Sequence, residues 1–319
     1  KLIFGEDSEA IASGRIFAAQ TLGGTGALRI GGEALVQNQI SDTIFLSDPT
    51  WPNHKPIFTR AGMKIDTYTY YDARNHSLSF SGICESIKRM QPGHTLLLQP
   101  CCHNPTGLAP TFEQWQKLSK LIKQQKIIPF FDMAYQGFDQ SLEEDAKVVR
   151  FFVEEGHEML VASSYSKNFG LYGERVGMLS VVTNNQETSN KVGSQIKQVI
   201  RGNYSMPPLH GARIVATILQ SKELKLEWEH ELTNIKERII EMRKALVSGL
   251  QALGADSEYD FLSKQTGMFS YSGLNSDQVH RLQKEYGIYM PKDGRINVAG
   301  INAQNLDRII TSILSVQEI

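Results

Sequence analysis

Lys167 stands among small hydroxyl residues and glycines in residues 163–177, S-S-Y-S-K-N-F-G-L-Y-G-E-R-V-G. Apolar runs lead into this stretch (159–162) and out of it (176–182), so it reads as a loop at the end of a strand. Two hydroxyls, Ser164 and Ser166, and the guanidinium of Arg175 accompany the amine. An amine that attacks a carbonyl needs a fixed position and enough burial to favour its neutral form. A phosphate needs hydroxyls, bare backbone N–H groups and an arginine. The two sets together point to a Schiff base with a phosphorylated aldehyde, pyridoxal 5'-phosphate. A lone lysine in a glycine-rich turn is usually a surface residue, so the rest of the chain must carry the reading.

Other strand ends repeat the pattern. Residues 21–29, T-L-G-G-T-G-A-L-R, form a glycine turn that feeds a helix, with Ala27, Ile30, Gly31 and Ala34 at helical spacing. Such a turn feeds a helix N-terminus, where anions bind. Arg29 takes the third glycine's place in G-x-G-x-x-G, and G-K-[ST] is missing, so nothing here is specific for a nucleotide; a turn without a ligand fits equally. A short strand at 44–46 ends in S-D-P-T-W-P-N-H, a stiff loop. Trp51 in it offers a face for stacking or fills a core, and His54 orients a carboxylate or is a solvated loop residue. The strand at 95–99 ends in P-C-C-H-N-P-T-G. Asn104, extended before proline, has an amide suited to a ring oxygen or a carboxylate, or simply begins a turn. The apolar run 127–131 leads to D-M-A-Y-Q-G-F. Asp132 after a buried strand is costly without a cationic partner; a protonated pyridine nitrogen would serve, and a helix N-cap is the alternative. Tyr135 is three residues on, within reach of a ring hydroxyl.

These motifs need a scaffold that alternates strand and helix. Helices are expected at 80–90, 111–126, 142–155, 187–200 and 209–220, and strands at 64–71, 159–162 and 176–182. That rhythm predicts an α/β fold, a mostly parallel sheet flanked by helices. Residues 1–17 read as mixed and helix-like. A long amphipathic helix at 223–253 ends before Gly254. Beyond it the pattern becomes α+β, with strands at 269–271, 288–290 and 296–298 and helices at 277–286 and 305–316. The domains are therefore expected at 1–234, large and cofactor-binding, and 235–319, small. Arg201 reads as a cation favoured at a helix C-terminus, and position alone favours an exposed turn residue for Arg295.

The bulk numbers narrow the class. In 319 residues, 41% are hydrophobic and 21% charged, with a net charge of −1, so no broad basic surface suggests nucleic acid or an anionic membrane. No apolar run reaches the ~18 residues of a membrane-spanning helix, and no signal-peptide pattern opens the sequence. Three cysteines, two of them adjacent (Cys101 and Cys102), suit neither a disulfide framework nor zinc. A reducing, cytoplasmic setting is expected.

Taken together, G-G-T-G-A-L-R, P-T-W-P-N-H, C-H-N-P-T-G, D-M-A-Y-Q-G-F, the Lys167 stretch, Y-S-M-P-P-L-H-G, Q-T-G-M-F-S-Y and D-G-R-I-N-V-A-G resemble the aspartate and aromatic aminotransferases. These are class I, fold-type I pyridoxal phosphate enzymes, and the resemblance runs through essentially the whole chain. It implies that Lys167 forms the Schiff base and then shuttles protons, and that Asp132, with His54 behind it, pairs with the pyridine nitrogen. Tyr135 and Asn104 would contact the ring hydroxyl oxygen, and Trp51 would stack on the ring. Gly24, Thr25, Ser164 and Arg175 would hold the phosphate. Arg295, with Asn104 and Trp51, would clamp the substrate α-carboxylate, and Phe269 would border the pocket. Arg201 would bind the distal carboxylate and reach into the neighbouring subunit's site, which implies a homodimer with shared active sites. Family members begin well ahead of Lys1. An N-terminal arm, the first part of the small domain and a tyrosine for the partner's phosphate are thus expected to be missing from these residues. The expected reaction is reversible amino transfer between L-aspartate, or an aromatic amino acid, and 2-oxoglutarate. The competing readings are a β-lyase or decarboxylase on the same scaffold, a truncated inactive form, and a nucleotide-binding enzyme.

Overall fold

A computed structural model describes residues 1–255 and 257–317. A short helix α1 (Glu9–Ala12) and strand β1 (Ile16–Leu22) precede α2 (Gly23–Gln37), β2 (Thr43–Asp48), α3 (His54–Arg60) and β3 (Lys64–Thr69). Two-residue strands β4 (Tyr71–Asp72) and β5 (Ser77–Leu78) make a small hairpin before α4 (Phe80–Arg89). The alternation continues through β6 (Thr95–Leu98), α5 (Phe112–Gln124), β7 (Ile128–Met133), α6 (Leu142–Glu154), β8 (Met159–Ser164) and β9 (Val176–Val182). Helices α7 (Gln186–Asn203), α8 (Leu209–Gln220) and α9 (Lys222–Leu250) follow. The C-terminal part holds β10 (Phe269–Tyr271), α10 (Ser276–Tyr286), β11 (Arg295–Asn297) and α11 (Leu306–Ser315).

Seven strands form one sheet in the order β1-β9-β8-β7-β6-β2-β3. From β8 to β3 all pairings are parallel, and β9 runs antiparallel to both β8 and β1. The ends of β1, β2, β6, β7 and β8 and the start of β9 therefore share one edge. This α/β architecture is the one the alternation predicts, and it puts every polar strand-end motif on that edge.

Both faces of the sheet are covered, so the strands read as continuous apolar runs. Leu97, Phe130, Leu160 and Ala162 point toward Leu28, Phe58 and Ile196 of α2, α3 and α7. Their neighbours Leu96, Phe131, Met159 and Val161 face Ile83, Trp115 and Phe152 of α4, α5 and α6. Phe130 and Phe131 are fully covered, each contributing about 2–3 kcal/mol. α2 lies close against the sheet because Gly31 has no side chain: a Cβ there would stand 2.5 Å from Phe130 Cζ.

A third cluster joins Leu246 and Leu250 of α9 with Leu282, Val298, Ile310 and Ile313. Trp228 and Leu232, nearer the start of α9, extend it to Tyr135 and Phe138. The expected boundary at 234/235 lies inside α9, which is unbroken there. Two local expectations are corrected. Residues 1–17 are not a helix, since only Glu9–Ala12 is helical and β1 begins at Ile16. Every β1 residue pairs with β9, and that pairing overrides the weak strand preference of Ala18, Ala19 and Gln20. Residues 288–290 form no strand: β10 pairs with β11 instead, and Tyr289 is left 78% exposed.

Candidate active site

At the shared strand edge lies a cavity of 340 Å³ lined by most of the residues singled out from the sequence. Its anion side starts where β1 ends. Gly23 turns the chain at φ +67°, and its N–H donates to the Arg175 carbonyl (3.1 Å). A Cβ on Gly23 would meet Arg175 Nη2 at 2.6 Å, and one on Gly177 would fall on the Gly23 backbone. The two glycines thus let the arginine and the start of α2 close together. No side chain caps this helix start, so Gly24 and Thr25 face the cavity with free N–H groups. Arg175 Nη1 donates to the Tyr172 carbonyl (2.9 Å), which aims its guanidinium. Ser164 and Ser166 complete the lining. Arginine, hydroxyls and a helix N-terminus are the donor set of a phosphate cradle.

Asp132, in β7, is 8% exposed and lines the same cavity. Fully buried His54 donates from Nε2 to Asp132 Oδ2 (3.0 Å), and its Nδ1 faces Thr50 Oγ1 (2.7 Å). Among the described residues no lysine or arginine pairs with Asp132. A buried carboxylate held by histidine and open to a cavity suits a protonated ring nitrogen. Trp51 stands edge-on to His54, with ring centroids 5.2 Å apart. Together with the phosphate cradle and a nearby amine, this donor set fits pyridoxal phosphate.

Half-buried Lys167 follows β8. Its Nζ lies 5.2 Å from the Tyr135 ring centroid and 4.9 Å from that of Tyr172. Burial, reinforced by the charge of Asp132, pushes the Tyr135 phenol well above its ordinary range, so its O–H stays protonated near neutrality. Asn104 Nδ2 points at the Tyr135 oxygen (3.5 Å), and Asn104 Oδ1 accepts from Arg295 Nη1 (2.7 Å). The Arg295 guanidinium lies over Phe269, 4.6 Å from the ring centroid. Arg295 is thus a pocket residue on β11, not a solvated turn.

The structure brings Gly24, Thr25, Trp51, Asn104, Asp132, Tyr135, Ser164, Lys167, Arg175, Phe269 and Arg295 around one cavity, with His54 directly behind. Arg201 stays apart: it is exposed near the end of α7 and hydrogen-bonds the Ser205 hydroxyl. Two supporting residues had no signal of their own in the sequence. Gln99 brackets Asn104, accepting from its N–H (2.9 Å) and donating to its carbonyl (3.4 Å). His103 links Ser47 (2.8 Å) and Thr106 (2.9 Å) and stacks on Tyr70. Burial, together with the His54 charge, holds its imidazole well below the usual range. Gln99 just precedes the C-C-H-N-P-T-G stretch and His103 lies inside it, but only their three-dimensional partners reveal what they do.

A sequence model described as aminotransferase class I and II matches residues 1–313. The chain therefore belongs to this family, and it is a pyridoxal phosphate-dependent aminotransferase. It is 49% identical over 316 residues to an aspartate aminotransferase of Salmonella typhi, covering 99% of this chain and 80% of that protein. The aspartate aminotransferase of Escherichia coli is 48% identical at the same coverage. Among solved structures, an aromatic-amino-acid aminotransferase from Burkholderia pseudomallei, covalently bound to pyridoxal phosphate, superimposes with a TM-score of 0.97 at 46% identity, over 99% of this chain and 79% of that one. A mitochondrial aspartate aminotransferase from Trypanosoma brucei also gives 0.97, at 42% identity, over 100% of this chain and 84% of that one.

Proposed function

We propose that this aminotransferase moves the amino group of L-aspartate reversibly to 2-oxoglutarate, giving oxaloacetate and L-glutamate. The observation that carries the reading is the single cavity shared by an amine, Lys167, a carboxylate, Asp132, and a guanidinium, Arg295. Pyridoxal phosphate, when bound, supplies an electron sink for the substrate carbanion. Gly24, Thr25, Ser164 and Arg175 would hold its phosphate, Trp51 would pack against its ring, and Asp132, oriented by His54, would keep a proton on its ring nitrogen. Tyr135, an O–H donor, and Asn104 serve the ring oxygen. Arg295, with Asn104 and Trp51, fixes the substrate α-carboxylate, leaving the Cα proton for Lys167 Nζ to remove and return. Phe269 shapes the apolar wall beneath the guanidinium.

Aspartate is favoured by the names of the relatives at 48–49% identity. Arg201 is assigned to the distal carboxylate, acting in the neighbouring subunit's site of a homodimer, with domains at 1–234 and 235–319 and a cytoplasmic location. A second reading, aromatic amino acids as the main substrates, is favoured by the Burkholderia structure. A panel of amino donors with 2-oxoglutarate separates the two. Replacing Arg201 by Asp is expected to lower kcat/KM for aspartate by about 10-fold or more beyond any loss for phenylalanine. Equal losses would remove Arg201 from side-chain recognition.

A further inference from the structure

Lys167 can only work if its loop holds still, and its two ends are tied to β1 and α8, where Gly23 N–H donates to the Arg175 carbonyl (3.1 Å) and His210 Nδ1 faces Glu174 (2.8 Å). Within the loop, Ser166 N–H donates to Ser164 Oγ (3.3 Å) and Gly170 N–H to the Lys167 carbonyl (3.1 Å). Both bonds are local and do not anchor the segment around Lys167 to the rest of the fold. On the outer side, a Cβ on Gly170 or Gly173 would meet nothing within 4 Å, so no wall stands there. Asn168 is 5% exposed, yet its Oδ1 has no hydrogen-bond partner, and its Nδ2 reaches the Gln136 carbonyl at 3.3 Å. The shortest long-range tie comes from α9. Trp228 Nε1 donates to the Asn168 carbonyl at 2.6 Å, and its indole stacks on Phe169 with centroids 4.2 Å apart and planes 17° from parallel. The indole is 7% exposed, so this hydrogen bond is made away from water, where it is strongest.

The same helix also grips the strand pair that carries Arg295. Arg243 donates to the Gly267 carbonyl (2.5 Å) and to Ser270 Oγ (3.2 Å). Arg238 donates to the carbonyls of Ala299 (2.6 Å) and Ile301 (3.0 Å). Ser270 pairs with Ile296 and Tyr271 with Arg295 across β10 and β11. One continuous helix therefore touches the residues after the amine at one end and the strands of the carboxylate clamp at the other.

We propose that Trp228 is a positioning residue for Lys167, transmitting through α9 the spacing between the amine and the Arg295 guanidinium. The inference rests on the roles given to Lys167 and Arg295 under the proposed function. Its test is Trp228→Phe, which keeps a ring against Phe169 and removes the N–H donor. In the holoenzyme, kcat for the preferred amino donor should fall about 10-fold, because small misplacements of reacting groups are costly, with KM for that donor unchanged. The pH midpoint of the visible absorption change, which reports the proton on the Lys167 nitrogen, should move. A residue with only a packing role would lower the Tm and leave kcat and the midpoint in place, and that result overturns the proposal. If Trp228→Phe yields no soluble holoenzyme, Trp228→Met fills the space with a flexible apolar side chain and likewise lacks the donor. The same displacement of kcat and midpoint then supports the proposal, and wild-type values for both overturn it. A pyridoxyl group fixed on the Lys167→Ala protein by borohydride reduction would instead sink the reading on which the inference stands.

Discussion

The two ends of the central sheet differ in chemistry far more than in shape. At the carboxyl ends of the parallel strands the 340 Å³ cavity gathers Asp132, Tyr135, Lys167, Arg175 and Arg295. At the opposite end, between α2, α7 and the starts of β7 and β8, a 750 Å³ cavity is lined mostly by apolar side chains such as Leu35, Met159, Val181 and Ile196. Of the two charged groups that line it, Lys191 is paired with Glu187 (2.7 Å) and Glu158 accepts from the Asn184 N–H (3.2 Å). The lining of the larger space is mainly apolar, whereas the smaller gathers an amine, a carboxylate, a phenol and two guanidiniums around one space. Size therefore says little about function here, and strand direction says a great deal. Loops leaving a parallel strand can bring polar groups and helix N-termini together at one edge, and the other edge is left to packing.

That contrast can be broken by substitutions at each end. Lys167→Ala is expected to have the largest effect, lowering turnover by about 10⁴-fold while the protein still folds and binds the cofactor noncovalently; stopped assays with long incubation would read it. Asp132→Ala should lower kcat by about 10²–10³-fold, the scale of a lost preorganised electrostatic group; single-turnover rates would show whether the chemical step is the one affected. At the other end, Ile196→Ala should cost about 2–3 kcal/mol of stability and leave kcat per folded molecule at the wild-type value. A comparable loss of kcat there would mean that the two ends are not separable.

The smallest effect expected is in pH. His157, bonded to Ser119 at 2.8 Å, has its imidazole pushed down to about 4 by burial, with Lys123 adding to the shift, and His103 moves in the same direction. An unfolded chain takes up these protons near pH ~6.5. Between that value and 4 the unfolded state binds more protons, so stability falls as the pH falls. Thermal unfolding across this window should show a falling Tm, with a shallower slope in His157→Gln.

Much of this site could be read directly from the sequence because each motif pairs a buried apolar run with a polar loop. Residues 127–131 announce Asp132, residues 159–162 announce Lys167, and both lie at strand ends in the fold. What escaped depends on partners far along the chain. β1 goes unannounced, its first two residues lying in the stretch read as helix-like, until it is paired with β9, more than 150 residues later. Residues 288–290 look like a strand but have no neighbour to pair with. Gln99 carries no local mark of its grip on Asn104, and Trp228 reads as one apolar position on a long helix until its N–H meets the Asn168 carbonyl. Arg295 illustrates the reverse case: its position in a turn suggested solvent, the family resemblance suggested a carboxylate clamp, and the Asn104 and Phe269 contacts place it at the pocket.

The central claim is that the cofactor's aldehyde carbon bonds to one side chain, Lys167. Reducing the holoenzyme with borohydride and mapping its peptides by mass tests it directly. The pyridoxyl mass is expected on the peptide containing Lys167 and on no other. Its appearance on a different lysine, or its absence from every peptide, would contradict the account.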